Sequence, residues 1–450
     1  MTERRRFAQV GMGGRGEMYY TALARDYRRH CELVALCDLN PGRLALAAKR
    51  AKELGVAVST YPADQFDRML RETRADTVIV TTKDCFHDEY MVRAMKAGCD
   101  VITEKPMTID DKKCRRILRT QKETGRRVRV TFNYRYSPVR TQVKQLLMSG
   151  VIGNVLSVDF HWNLDTSHGA DYFRRWHRNK ANSGGLIVHK ATHHFDLVNW
   201  WLSTVPEKVY AMGKRKFYTP QTAERYGLVR RAERCTGCPE SKKCPFYLDM
   251  TNGSLRELYR DNEKYDGYFR DRCVFSEKID IEDSMNVAVK YANGALMSYS
   301  LNAFLPWEGY AISFNGTKGR LEHKCMETVY INADGSVPGE LIDSGTTLRV
   351  FPHFRPAHAL DIHKSKGGHG GGDEPMLDDL FSVKPRKDLY LRAADQRSGA
   401  WSILTGIAAN RSMKSGKAVE IARLAPGLEM PDYPPMPATD SPLPVRPRKK

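Results

Sequence analysis

A chain of 450 residues, 41% hydrophobic and 28% charged, is too long for one small core and far from a disordered composition, so two domains with an insertion are expected. No apolar run approaches the roughly 18 residues of a membrane helix. The opening Met1-Thr2-Glu3-Arg4-Arg5-Arg6 has no leader-like apolar stretch, so a cytoplasmic protein without a membrane partner is expected. The net charge of +19 is scattered apart from Arg4–Arg6 and Arg446–Lys450, with no nucleic-acid-reading motif, which points to anionic small molecules rather than nucleic acid.

The first element is a short apolar strand, Phe7 to Val10, running into Gly11-Met12-Gly13-Gly14-Arg15-Gly16. An amphipathic helix follows, with Met18, Leu23 and Tyr27 as its candidate buried positions. Strand, glycine turn and helix form the context of a dinucleotide fingerprint. Gly11 makes the tight turn, Gly13 admits a pyrophosphate, and Gly16 lets helix and strand pack closely. A second strand ends in Asp38, 22 residues after Gly16, where a carboxylate accepts from ribose hydroxyls and repels a 2′-phosphate. NAD is therefore expected over NADP, although Arg43 nearby works against that preference.

Helices over 41–54, 62–73, 86–97 and 109–124 alternate with strands over 77–82, 100–103 and 127–132, which predicts a parallel, doubly wound sheet in residues 1–130. The loops after its strands carry Thr81, Thr82 and His87, then Glu104, Lys105 and Pro106, and should line the crevice at the strands' carboxyl ends. Residues 131–425 form the second unit. Its strand 155–163 alternates, and a hairpin is predicted at 286–301 around Asn293-Gly294, with further strands near 309–314 and 319–323.

Residues 213–280 read as an insertion bearing Cys235, Cys238, Cys244 and Cys273. The x2, x5, x28 spacing can close a four-cysteine site for structural zinc, with an iron–sulfur cluster, a disulfide pair and plain thiols as competing readings. Cys31, Cys37, Cys85, Cys99 and Cys114 sit singly in apolar patterns and read as reduced core residues. The glycine-rich stretch 367–373 either brings His369 and Asp373 to a substrate or is a mobile linker. The proline-rich end, 426–450, is expected to be extended and to drape over a neighbouring subunit.

Glu104-Lys105-Pro106 after a buried strand resembles the glucose–fructose oxidoreductase and inositol dehydrogenase (Gfo/Idh/MocA) family. Supporting segments are Thr82 to His87, Phe132-Asn133-Tyr134-Arg135, Gly184-Gly185 through His193 to Asp196, and Arg392 through Ile407. The resemblance implies a Rossmann domain, then an α/β domain with a large, mainly antiparallel sheet, substrate between the two, and homodimers or homotetramers. It also implies that Lys105 orients a reacting hydroxyl and that His193 takes its proton as hydride leaves carbon. His189, His193 and Asp196 would project from one helix face into the cleft.

Where many relatives carry Asp, this chain has His189. His189 would contact substrate, or share a metal with His193 and either Asp159 or His161. Arg135, Arg175, Trp176, His177, Lys190 and His369 are the candidate substrate contacts. The expected activity is NAD-dependent oxidation of a sugar, polyol or glycoside. The alternatives are redox-neutral glycoside cleavage by tightly held NAD and a non-catalytic NAD or sugar sensor, against which the presence of both Lys105 and His193 argues.

Overall fold

The computed structural model describes residues 4–340, 345–363, 368–383 and 387–437. Gly367, the cluster Arg446–Lys450 and the last part of the proline-rich end lie outside the described residues.

The first sheet contains β1 (Arg5–Val10), β2 (Cys31–Asp38), β3 (Ser59–Pro62), β4 (Thr77–Val80), β5 (Asp100–Thr103) and β6 (Val128–Val130), in the order β3-β2-β1-β4-β5-β6. All pairings are parallel. Helices cover both faces, which is why β1, β2 and β4 read as almost unbroken apolar runs. The chain reverses its direction of travel across the sheet between β1 and β4, and a crevice opens there.

The second sheet contains β7 (Val155–Asp165), β8 (Pro206–Lys214), β9 (Ser284–Tyr291), β10 (Leu296–Leu305), β11 (Glu308–Gly316), β12 (Gly319–Thr328), β13 (Thr346–Pro352), β14 (His358–Ala359) and β15 (Val419–Glu420). Its order is β14-β13-β12-β11-β7-β10-β9-β8-β15, antiparallel throughout except for β7 with β10. Alternation along β7 turns Phe160 and Trp162 inward and Asp159 and His161 outward. The inner face carries the helices Ala191–Leu202 and Gln396–Ser415. Every residue of the first of these is buried, so this helix shows no polar stripe.

Between β8 and β9 the inserted residues form short helices, Pro220–Arg225, Gly253–Leu258 and Glu263–Asp266, joined by long loops. This segment crosses back to the first domain. Asn40 Nδ2 donates to the Asn262 carbonyl at 2.8 Å, and Arg43 pairs with Asp266.

The described part of the proline-rich end lies against its own chain rather than extending away from it. Trp401 Nε1 donates to the Glu429 carbonyl at 2.9 Å, Ser203 Oγ donates to that of Pro434 at 2.6 Å, and Tyr433 packs beside the Arg135 guanidinium. This end forms neither helix nor strand over residues 428–437. Its aromatic and sulfur side chains find partners on the core that proline content alone did not reveal.

Candidate active site

A cleft of about 470 Å³ opens where the carboxyl ends of β1, β4 and β5 meet the broken helix of the second domain. One wall is the glycine turn. Gly11 has φ +96, and a Cβ there would lie 2.6 Å from the Thr81 carbonyl carbon, so no larger residue fits. At Gly16 a Cβ would meet the Gly11 oxygen at 2.5 Å, consistent with its packing role. The helix Gly14–Arg25 starts without a cap from its own N-cap side chain, and its first turn faces the cleft through Gly13, Gly14 and Arg15. Tyr259, from the insertion, places its hydroxyl 3.1 Å from the Gly14 nitrogen.

Asp38, at the carboxyl end of β2, lines one end of the cleft. Its carboxylate accepts from the backbone N–H groups of Met12 and Asn40, so Met12 shapes the turn from beneath and does not line the cleft. Arg43 lies 3.6 Å from Asp38 but is also paired with Asp266, a partner invisible in local sequence. Thr81, Thr82 and His87 line the same wall, with the His87 ring held between the carbonyls of Pro106 and Thr82.

At the other end, Arg15 and the Tyr19 hydroxyl both donate to Glu104, at 2.6 and 2.7 Å. Burial pushes the Glu104 carboxyl up, but these partners outweigh it and hold the group below its ordinary range. Lys105 Nζ sits 3.4 Å from His189 Nε2 and 3.3 Å from the His189 carbonyl. Burial brings this ammonium down to about 8, against the opposing pull of Asp84 and Glu104. His189 Nδ1 in turn contacts the Asp84 carboxylate. With the Nδ1 hydrogen given to Asp84, Nε2 faces Lys105 as an acceptor.

His193 also lines the cleft, stacked on Tyr134 at 4.1 Å between ring centres. Burial, then Lys105, keeps the imidazole neutral by lowering its pKa well below the ordinary histidine range. Its Nδ1 is buried without a partner, leaving Nε2 as the nitrogen open to the cleft. Tyr134 accepts from Lys190 Nζ at 3.2 Å, and Lys190 lies 3.6 Å from Glu308. Glu308 holds His168, whose other nitrogen meets the Tyr172 hydroxyl at 2.9 Å. Arg175, Trp176, His177 and His369 complete the lining. His369, at φ +54, reaches Asp373 at 2.8 Å, and Asp373 also binds Arg15 and Asn133.

Several sequence expectations are corrected. Arg135 does not line the cleft: it makes a two-pronged pair with Asp196 at 2.8 and 2.6 Å, and both side chains are 1% exposed. The short helix Leu186–His189 and the helix Ala191–Leu202 are separate, joined at Lys190, so His189 and His193 reach the cleft while Asp196 turns to Arg135. The shared-metal idea fails because Asp159 and His161 face outward, bonded to Ser298, Asn315 and Ser300. Among the described residues no group of three or more His, Cys, Asp or Glu converges to hold a metal ion, so zinc on the four cysteines is not supported.

Sequence reasoning missed Asp84, Tyr134, Tyr172, His168, Glu308, Tyr259, Asp266 and Tyr268, all but Glu308 lining the cleft. Asp84 lay inside a loop already marked by its position after β4. The three insertion residues carried no signal, since only the fold brings them back to the turn.

A glycine turn at the switch point of a parallel sheet, with a lysine after β5 facing histidines of a second domain, is the layout of an NAD-binding oxidoreductase. The chain belongs to the Gfo/Idh/MocA oxidoreductase family. Its NAD-binding Rossmann-fold model matches residues 5–132, and its C-terminal alpha/beta domain model matches residues 144–421. The chain is 38% identical over 415 residues to YteT of Bacillus subtilis (strain 168), named as an oxidoreductase, covering 90% of this chain and 95% of that one. It is 27% identical over 192 residues to the inositol 2-dehydrogenase/D-chiro-inositol 3-dehydrogenase of Lactiplantibacillus plantarum, covering 42% of this chain and 50% of that enzyme. The fold is shared with the WlbA dehydrogenase from Bordetella pertussis in complex with NADH and UDP-GlcNAcA, at a TM-score of 0.60 and 19% identity over 93% of this chain and 99% of that one. Among the described residues no helix is long and apolar enough to cross a membrane.

Proposed function

We propose that the protein oxidises a hydroxyl of a sugar, polyol or glycoside, with NAD as hydride acceptor. The observation that carries this reading is the convergence of Lys105, His189 and His193 in one cleft with the glycine turn. NAD, when bound, supplies the acceptor carbon; Gly11, Gly13, Gly14, Arg15, Asp38, Thr81 and Thr82 are the residues that would hold it. Lys105 Nζ donates to the substrate oxygen and stabilises the negative charge that develops there. His193 Nε2 takes the hydroxyl proton, as a neutral imidazole can. Asp84 and His189 orient Lys105, so the carboxylate missing from position 189 is replaced from the loop after β4. Polar and aromatic walls at Tyr172, Arg175 and Trp176 suit a polyhydroxylated ring.

The acids Asp38 and Asp266 flank Arg43, which favours NAD over NADP because the guanidinium is already paired with carboxylates. One observation favours a second reading, redox-neutral glycoside cleavage by retained NAD. The insertion reaches the cofactor end of the cleft through Tyr259, Asn262 and Asp266, as a clasp that slows release would. The outward face of the nine-stranded sheet, with Ser298, Ser300 and Asn315, is the surface on which a homodimer or homotetramer would pair. Purified protein incubated with NAD and a panel of sugars, polyols and glycosides tests the reading. NADH formed with one class supports oxidation. Glycoside consumed without NADH supports the second reading, and inertness towards the whole panel refutes both.

A further inference from the structure

The cleft holds a second acid–base assembly that the hydride step leaves unused. The helix His168–Arg174 follows β7, and its His168 and Tyr172 stand one turn apart. Tyr172 Oη lies 2.9 Å from His168 Nε2, and His168 Nδ1 lies 2.8 and 2.9 Å from the two oxygens of Glu308, at the start of β11. Tyr172 and His168 line the cleft, while Glu308 stands behind them and is 4% exposed. The helix itself is anchored by Asp165, which accepts from the N–H groups of Ser167 and His168 at 2.9 and 2.7 Å.

The carboxylate fixes where the hydrogens sit. Burial alone would push the Glu308 carboxyl up, but His168 and Lys190, the latter at 3.6 Å, outweigh it and hold the group low. An ionised carboxylate only accepts, so His168 Nδ1 carries the ring hydrogen and Nε2 accepts from the Tyr172 hydroxyl. That is the order of a nucleophile–histidine–carboxylate triad, with a phenol in the nucleophile's place. Burial pushes the Tyr172 phenol up, so it rests protonated and passes protons only in relay. The His168 side chain is 42% exposed, which lets the relay exchange its proton with water.

The relay also stands close to the groups assigned to the oxidation. The Tyr172 ring is 5.4 Å from that of His189, whose Nε2 is 3.4 Å from Lys105 Nζ. On its other side Lys190 joins Glu308 to the Tyr134 hydroxyl, and Tyr134 stacks on His193. Tyr172 is therefore one side chain from Lys105, so both can touch one sugar-sized ring. Turning a hydroxyl into a ketone makes the hydrogen on the neighbouring carbon acidic, and a cation on the ketone oxygen makes it more so.

We propose that Tyr172 is a second catalytic residue, which removes and returns the proton on the carbon next to the one oxidised. This rests on the oxidation proposed above, since the ketone is its product. The C–H bond breaks as the Tyr172 oxygen takes the proton, and the phenol's own proton passes to His168 Nε2. The electron pair settles on the ketone oxygen as an enolate held by Lys105. Glu308 stabilises the imidazolium, so His168 and Glu308 act through Tyr172. The reverse sequence returns to the carbon a proton drawn from water through His168. Redox-neutral glycoside cleavage needs such a step, and simple oxidation does not.

The test is deuterium uptake from heavy water by a ready-made ketone, which needs no NAD. The full-length protein is incubated with methyl 3-keto-glucoside or with 2-hydroxycyclohexanone, and uptake beside the carbonyl is followed by NMR against a protein-free control. Wild-type protein should speed uptake at least about 10²-fold. Tyr172→Phe and His168→Ala should each lose that acceleration, and added imidazole should restore part of it to His168→Ala, which a merely structural histidine would not show. His168→Ala, at a part-exposed position, carries the test where Tyr172→Phe does not fold. Uptake by both ketones at the protein-free rate, or full acceleration in Tyr172→Phe, overturns the proposal. A loss in His168→Ala that imidazole leaves untouched overturns the relay. NADH formed from the sugar panel without any uptake strikes Tyr172 alone and leaves the oxidation standing, whereas uptake without NADH strikes the oxidation instead.

Discussion

Replacing Asp196 by Asn separates a structural pair from a substrate contact. Arg135 and Asp196 are each 1% exposed and joined by two hydrogen bonds, so the substitution leaves a guanidinium buried without its counter-charge. Breaking such a pair costs about 3–5 kcal/mol. Burial holds the Asp196 carboxyl up at about 6 even beside Arg135, which shows that desolvation outweighs the attraction. Replacing both partners, Arg135→Met with Asp196→Leu, should therefore restore most of the lost stability. Urea unfolding of the three proteins measures this, with the KM of the folded variants for substrate as the second readout. The reasoning is refuted if Asp196→Asn loses less than about 1 kcal/mol, within the range of an ordinary exposed pair. An intact Asp196→Asn protein whose KM alone rises would return Arg135 to the substrate.

Other consequences follow from the same geometry. Lys105 acts as a charged donor below its pKa of about 8, so turnover should fall as pH rises through that value, read from a kcat/KM profile. Because burial keeps His193 neutral, no matching acid limb should appear between pH 6.5 and 8. Asp84→Ala, which removes the acceptor of the His189 Nδ1 hydrogen and so loosens Lys105, should lower kcat by about 10²-fold with NAD affinity unchanged, measured by steady-state kinetics and calorimetry. Tyr259→Phe removes the hydroxyl beside Gly14 and should weaken NAD by about fivefold, near 1 kcal/mol, while Asp266→Ala frees Arg43 and should raise acceptance of NADP. Burial lowers His323 to about 4, beneath Tyr310. That depressed value contributes stability present above the unfolded pKa near 6.5 and lost as pH falls towards 4, roughly 3 kcal/mol at most, readable from denaturation midpoints across that window.

The parallel sheet was legible because its strands are buried on both faces and its turn needs glycine at fixed offsets. Gly11 and Gly16 show this, each standing where backbone leaves no room for a Cβ. The hairpin around Asn293-Gly294 was legible for the same local reason. Lys105, His189 and His193 came together as the family motif implied. Arg135 did not, because Asn133–Tyr136 form a tight 3-10 turn that sends Tyr134 to the cleft and Arg135 to the core. The contributions of Tyr259 and Asp266 could not be read locally, since each acts on a partner more than two hundred residues away. The cysteine spacing suggested a metal site, but among the described residues no three of these side chains converge on one ion.

At the centre of the proposed reaction, His193 takes the hydroxyl proton and Lys105 steadies the oxygen while hydride passes from the carbon bearing it to NAD. This step is tested most directly by following reduction of bound NAD in a single turnover, after mixing with whichever sugar, polyol or glycoside the panel identifies. Wild-type protein should form NADH. Lys105→Ala and His193→Ala should each slow that step by at least about 10²-fold while binding NAD as before. Reduction at wild-type rate in either variant would contradict the account.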